Sequence, residues 1–312
     1  MIRVFEPTYN EAAARAVTKE IEAGWISHGE HIEKFEEEFA QFVGAKHCIA
    51  VSSCSAALEL CMAFCSAGNY AGTTITVPRV TFASVLNAAV RWGKVRMVDE
   101  VYVNTNCPIR LSRQGMARMD YIIYDCAHTC EAGGYAKLHD PAAACYSFYP
   151  TKVLSGLEGG AICTNDDEAA RRLRILSRNG LNRQGSDWNY QHLLTGFKMA
   201  MTNIQAVYLR EQLKHIGIVN WARWQQFHKY HQALPSWGSV GNYTFTMKCE
   251  DVGHRDRVIE ELRKRGIETT VQFLPLDRKQ SDWADMSVQL PLHMQIEDEQ
   301  QDYVIECAKA LV

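Results

Sequence analysis

The chain has 312 residues, 47% hydrophobic and 22% charged, with 33 Lys+Arg against 36 Asp+Glu and a formal net charge of −3. That length suggests about two domains and a core large enough to need no disulfide or metal staple. The balanced charge excludes a general nucleic-acid binder and a polybasic membrane module, and apolar runs of only a few residues exclude a polytopic membrane protein.

Asn10 is placed to cap a first helix running to Ala23. A second, acidic helix keeps Ile32, Phe35, Phe39 and Phe42 on one face and stops at Gly44. From His47 the rhythm changes, with short apolar runs at 48–51, 74–77, 95–98, 121–124, 144–148 and 160–163 separated by helical stretches. Such runs bounded by Gly, Pro and Ser predict strands buried on both faces, a sheet sandwiched between helices. The stretch 55–66 is helical, with Ser53 or Ser55 available as its cap. A charged helix follows Asn165-Asp166-Asp167 to about Arg178, then a polar loop with Gly180, Gly185 and Asp187, then one long helix over 202–234. Beyond Pro235 the pattern reads strand 243–248, helix 256–265, strand 267–272 and helix 297–311. The expected organisation is a large α/β domain over 1–234 and a small α+β domain over 235–312.

The eleven cysteines are odd in number and scattered through apolar runs. The close pairs Cys61/Cys65 and Cys126/Cys130 lack C-x-x-C spacing, and Met1–Glu6 begins no signal-peptide apolar run. Reduced core thiols in a cytoplasmic protein are expected. His28/His31 and His228/His231 lack the spacing and companion carboxylate of a metal site, so no metal is expected.

Four constellations carry chemistry. In Val51-Ser52-Ser53-Cys54-Ser55 a strand turns tightly into a helix. Exposed N–H groups and hydroxyls there suit a phosphate, although the same residues also make an ordinary N-cap. Asp125 ends the apolar run Tyr121-Ile122-Ile123-Tyr124, and ligands of open α/β sheets sit beyond the carboxyl ends of strands; a turn aspartate is the plainer alternative. In Ser147-Phe148-Tyr149-Pro150-Thr151-Lys152 a lysine leaves a buried aromatic strand for a turn with Gly156, Gly159 and Gly160. Desolvation lowers the pKa of a buried amine, as Schiff-base chemistry requires, but a surface lysine is equally compatible. Phe82, in Pro78-Arg79-Val80-Thr81-Phe82, could stack on a planar ring or simply join the core.

The order of these pieces is similar to the fold-type I, aspartate aminotransferase-like pyridoxal-phosphate (PLP) enzymes. More narrowly it resembles the DegT/StrS family of nucleotide-sugar aminotransferases. The resemblance runs through Gly24-Trp25-Ile26-Ser27-His28-Gly29, Ser53–Leu58, Pro78-x-x-Thr81-Phe82, Asp125-Cys126-Ala127-His128, Ser147–Lys152, Glu158-Gly159-Gly160-Ala161, Gly196-Phe197, Met201–Ala206 and Leu290-Pro291-Leu292-His293. It spans nearly the whole chain. It implies a mostly parallel sheet between helices with a small α+β domain, PLP as a Schiff base on Lys152, and Asp125 at the pyridine nitrogen. His128 would lie by the ring or its phenolic oxygen, Phe82 on the ring face, and Ser53, Cys54, Ser55 and Ser147 around the phosphate. The implied reaction is ping-pong transfer of an amino group from glutamate, released as 2-oxoglutarate, to a nucleotide-linked keto-sugar, with a 4-keto-6-deoxy sugar the first expectation. Lys152 would move a proton as base and then acid. Relatives with histidine in place of the lysine dehydrate sugars; Lys152 favours transamination. A homodimer with shared active sites is implied, with no nucleic-acid or membrane partner.

Three departures from the family's pattern stand out. Cys54 and Ser55 replace a glycine and a threonine, and Lys198-Met199-Ala200 replaces Asn-Tyr-Arg. Lys198 would then reach the neighbouring subunit's cofactor phosphate as a charge, while the donor carboxylate loses an arginine. Only 21 residues separate Asp99 from Tyr121, where the family has a further helix and strand, and 271–290 also looks trimmed. A pared-down sheet and an altered sugar pocket are therefore expected. The rival readings are a non-catalytic or regulatory PLP-binding homologue and a PLP enzyme for small amino acids.

Overall fold

A computed structural model describes residues 1–66, 72–102, 105–113, 121–183, 190–237, 241–277, 279 and 281–312. Gly185, Asp187 and part of the shortened 100–120 region lie outside them. The helices are α1 (Glu11–Glu22), α2 (Glu30–Val43), α3 (Cys54–Ser66), α4 (Ala83–Trp92), α5 (Asp167–Ser177), α6 (Asn203–Leu213), α7 (Ile216–Ala233), α8 (Val252–Lys264), α9 (Asp282–Asp285) and α10 (Asp298–Lys309). The strands are β1 (His47–Val51), β2 (Thr73–Val80), β3 (Lys94–Val101), β4 (Cys107–Arg113), β5 (Tyr121–Asp125), β6 (Ala143–Ser147), β7 (Gly160–Thr164), β8 (Leu181–Arg183), β9 (Tyr190–His192), β10 (Phe245–Lys248) and β11 (Ser287–Leu290).

Seven strands form one sheet in the order β1-β7-β6-β5-β4-β2-β3. Five share a direction, while β7 and β4 run against their neighbours. Side chains alternate between two buried faces. Ile49, Val51, Cys145 and Ile162 enter the cluster that packs α3, α4 and α5. Cys48, Ala50, Ala144, Tyr146, Ala161 and Cys163 enter the cluster that packs α2 and α6. This is the period-two pattern of a strand buried on both sides. All eleven cysteines are buried and free.

Helix ends follow local chemistry. The Ala13 N–H donates to Asn10 Oδ1 at 3.2 Å, Gly44 closes α2 in the left-handed region with φ 77°, and the Ala56 N–H donates to Ser53 Oγ at 3.1 Å. Ser53 is therefore the cap, and α3 begins one residue earlier than the sequence pattern suggests.

The structure corrects three expectations. The stretch after β3, expected to leave the sheet pared down, carries a further strand, β4, antiparallel to both β2 and β5. Only seven residues separate β4 from β5, too few for the dozen or more that a parallel crossover needs. The long helix over 202–234 is two helices, broken at Lys214–His215 by tight turns from His215 N–H to Gln212 O and from Ile218 N–H to His215 O. Leu209 belongs to the α2 cluster, whereas Phe227 and Tyr230 enter a third cluster with β10, β11, α8 and α10. One straight helix does not serve both. The stretch 267–272 is no regular strand; it makes isolated bridges from Ile267 to Ile2 and from Thr270 to Gln289.

Candidate active site

Every predicted strand-end residue except Lys198 lines one cavity of about 600 Å³. Asp125 ends β5, where the Cys126 N–H continues the pairing to Cys145 O at 2.8 Å. The Ala127 N–H donates to Asp125 Oδ1 at 3.0 Å, and the Cys54 thiol reaches the same oxygen at 3.8 Å. Oδ1 is thereby occupied by the chain's own donors, on a residue that lines the cavity. Burial pushes the Asp125 carboxyl above its ordinary value, opposed by the Ala127 N–H, the Lys152 charge and Cys54. A cationic N–H in the cavity would favour its ionised form. Burial, and then the Asp125 charge, push the Cys54 thiol well up, keeping it a neutral donor.

Lys152 lies on a loop closed between β6 and β7. Phe148 N–H bonds Gly159 O at 2.9 Å, Gly156 N–H bonds Phe148 O at 3.0 Å, and Lys152 N–H bonds Tyr149 O at 2.8 Å. A Cβ on Gly156 would stand 2.6 Å from Phe148 O, so only glycine lets this loop close. The Lys152 amine donates to Tyr243 Oη at 3.2 Å and stands 4.3 Å from that ring's centre. Ser147 lines the cavity and accepts from the Tyr149 N–H at 3.4 Å.

Ser53, Cys54 and Ser55 form the start of α3 at the cavity wall. The Ser52 N–H anchors this turn to Met199 O at 2.8 Å. Gly160 of β7 presses against it: an added Cβ would stand 2.4 Å from Ser53 C and 2.5 Å from Cys54 N. His128 is buried between two rings, stacked on Tyr243 at 4.5 Å and on Phe273 at 5.4 Å. Burial, followed by the Lys152 charge, holds its pKa well below the usual histidine value, so it is a neutral imidazole. Phe82 is 59% exposed at the cavity edge, 6.3 Å from Phe273, and is no core residue. Lys198 lies outside this cavity on an exposed segment bridged to Arg178.

Sequence reasoning missed the opposite wall: Tyr243, Thr270, Gln272, Phe273 and Gln289. It also missed Tyr102 and Thr105 on the β3–β4 crossing. The Tyr102 hydroxyl bonds Glu100, and its pKa is pushed up to about 12 by partial burial and that carboxylate. Tyr243 is set by Arg223, a buried α7 residue whose Nε donates to Asn242 O at 2.7 Å and whose Nη2 donates to Tyr243 O at 2.6 Å. No local motif marks these positions, because tertiary packing alone brings them to the cavity.

Residues 7–110 and 120–309 match the DegT/DnrJ/EryC1/StrS aminotransferase family. The chain belongs to that family. It is 28% identical to the spore coat polysaccharide biosynthesis protein SpsC of Bacillus subtilis, over 98% of this chain and 96% of that one. The alignment spans 375 positions, more than the chain contains, so SpsC carries segments missing here. Among solved structures, Spr1654 from Streptococcus pneumoniae, in its PMP form, superposes with a TM-score of 0.85 at 19% identity, covering 99% of this chain and 98% of that one. Its PLP form gives 0.84, covering 99% and 97%. The sugar aminotransferase CalS13 from Micromonospora echinospora gives 0.83 at 16% identity, covering 99% and 100%. At these identities the likeness establishes the fold: α/β, of the type I transferase kind. Membership in the family makes the chain an aminotransferase.

Proposed function

We propose that the chain transfers an amino group from L-glutamate to a nucleotide-linked keto-sugar, with a 4-keto-6-deoxy sugar as the first acceptor to test. The observation that carries this reading is the meeting of Lys152, Asp125 and the start of α3 in one cavity. These residues fit PLP: an amine to hold it, a carboxylate with one oxygen already occupied, and a helix N-terminus pressed close by Gly160 for its phosphate. When bound, the cofactor supplies an electron sink for the donor's α-carbon.

The chain's own residues divide the remaining work. Asp125 holds the pyridine N–H, and Ser53, Cys54, Ser55 and Ser147 hold the phosphate. Phe82 and the neutral His128 bound the ring. Lys152 Nζ, oriented by Tyr243 Oη, takes the proton from the donor's α-carbon. Lys198, outside its own chain's cavity, serves the partner's phosphate in a homodimer. The remaining assignments in this reading are a cytoplasmic location and a division into domains at 234/235. The family membership, the SpsC likeness and the absence, among the described residues, of any helix long and apolar enough to cross a membrane accord with it.

The test is a panel of nucleotide-linked keto-sugars incubated with the PLP-loaded protein and glutamate, read by mass spectrometry. An aminated sugar formed with one equivalent of 2-oxoglutarate is expected. No amination of any member, or amination of a free amino-acid skeleton only, would contradict the reading.

A further inference from the structure

We infer that Gln289 and Gln272 form a subsite for the hydroxyl groups of the acceptor's sugar ring. This inference rests on the sugar aminotransferase reading and assigns the wall that no motif marks. Gln289, on β11, is 1% exposed and lines the cavity, yet among the described residues neither its amide oxygen nor its amide nitrogen has a partner. Turning the amide over changes nothing, since both ends are unpaired. Gln272 lines the same wall; its Oε1 is buried without a partner, and its Nε2 lies 3.5 Å from His128 Nε2. Between them Thr270 joins Gln289 through the backbone bridge, fixing the two amides on adjoining backbone.

A buried amide left unpaired destabilises the free protein. Two such amides on residues that line one cavity, beside the site of chemistry, therefore point to a ligand that completes them. Its chemistry follows from what is missing. The wall offers two vacant acceptors and one vacant donor group. Carboxylates and phosphates bring acceptors only, so they would leave both amide oxygens unpaired. A sugar hydroxyl gives one hydrogen bond and accepts another. Among the described lining residues Lys152 is the only lysine or arginine, and its amine is held by Tyr243 Oη at 3.2 Å. The amide wall is thus neutral, suited to a polyol ring. A site built to hydrogen-bond a hydroxyl discriminates strongly against analogues that lack it.

The experiment is a calorimetric titration of the pyridoxamine-phosphate-loaded protein with UDP-N-acetylglucosamine, dTDP-glucose and UDP-glucose, together with thermal melts of the free protein. Gln289→Met keeps the volume and removes the amide. At least one nucleotide sugar is expected to bind the wild-type protein, and Gln289→Met to weaken it about tenfold, ~1.4 kcal/mol. The same variant should melt a few degrees higher when free, because an unpaired buried amide has gone. Gln272→Met should weaken the same titration. Three results would overturn the subsite: no nucleotide sugar binds, Gln289→Met binds as the wild type does, or its free form melts lower. The last would mean that the amide is structural. The wild-type protein's conversion of glutamate to 2-oxoglutarate, measured without any sugar, reports on the aminotransferase reading alone and separates the two failures.

Discussion

His128 shows how one residue's surroundings set its chemistry. Enclosed by the rings of Tyr243 and Phe273, it is held neutral by burial and by the Lys152 charge. A histidine whose folded pKa is depressed binds fewer protons than the unfolded chain does once the pH falls below about 6.5. Stability therefore declines on that acid side, by up to about 1.4 kcal/mol per pH unit for each such group. His293, also lowered by burial, acts with the same sign. Melts of the cofactor-free protein between pH 5 and 7.5 should show this decline, and His128→Gln should make it shallower. An unchanged slope in that variant would show that His128 titrates normally. Asp125 is tuned by contact as well as burial: Ala127 and Cys54 both address Oδ1. Cys54, expected from the sequence beside the phosphate, also turns its thiol toward Asp125 Oδ1 at 3.8 Å.

Among the elements, strand ends and helix starts were the most legible features. Apolar runs bounded by breakers located β1, β2, β3, β5, β6 and β7, because strands buried on both faces are continuous apolar stretches. The strand β4 was missed. Its sequence, Cys-Pro-Ile-Arg-Leu-Ser-Arg, alternates with charged residues and follows a crossing too short for the expected helix. Gly160 shows why the turn at the start of α3 keeps its shape. An added Cβ there would meet backbone, which cannot move aside as a flexible side chain would. Gly160→Ala should cost about 1–3 kcal/mol of stability in chemical denaturation and loosen retention of PLP on gel filtration. A variant as stable and as cofactor-rich as the wild type would show that the close approach is dispensable. The wall carrying Tyr243, Gln272 and Gln289 was illegible for a different reason: Tyr243 meets Lys152 across 91 residues and Gln272 meets His128 across 144, so no local spacing marks them.

At the scale of the molecule, the chain compresses its family's architecture. The sheet has seven strands, with β4 antiparallel to both neighbours, and Tyr102 and Thr105, between β3 and β4, line the cavity. Of the wall residues, Gln289 comes from β11 beside the third cluster, Tyr243 belongs to the α2 cluster, and Phe273 packs on Val80 and Trp283. Arg79 ties the two sides, pairing with Asp99 at 2.5 Å and Asp277 at 2.9 Å. The cofactor-facing wall was readable from motifs that sit at strand ends; the wall assigned here to the sugar was not.

Lys152 is proposed to hold the cofactor covalently through its amine. Borohydride treatment of the PLP-loaded protein followed by peptide mass mapping should place one reduced pyridoxyl phosphate on the peptide carrying Lys152, with none on the corresponding peptide of Lys152→Ala. A label on another lysine, or an unlabelled Lys152 in protein that retains PLP, would contradict it.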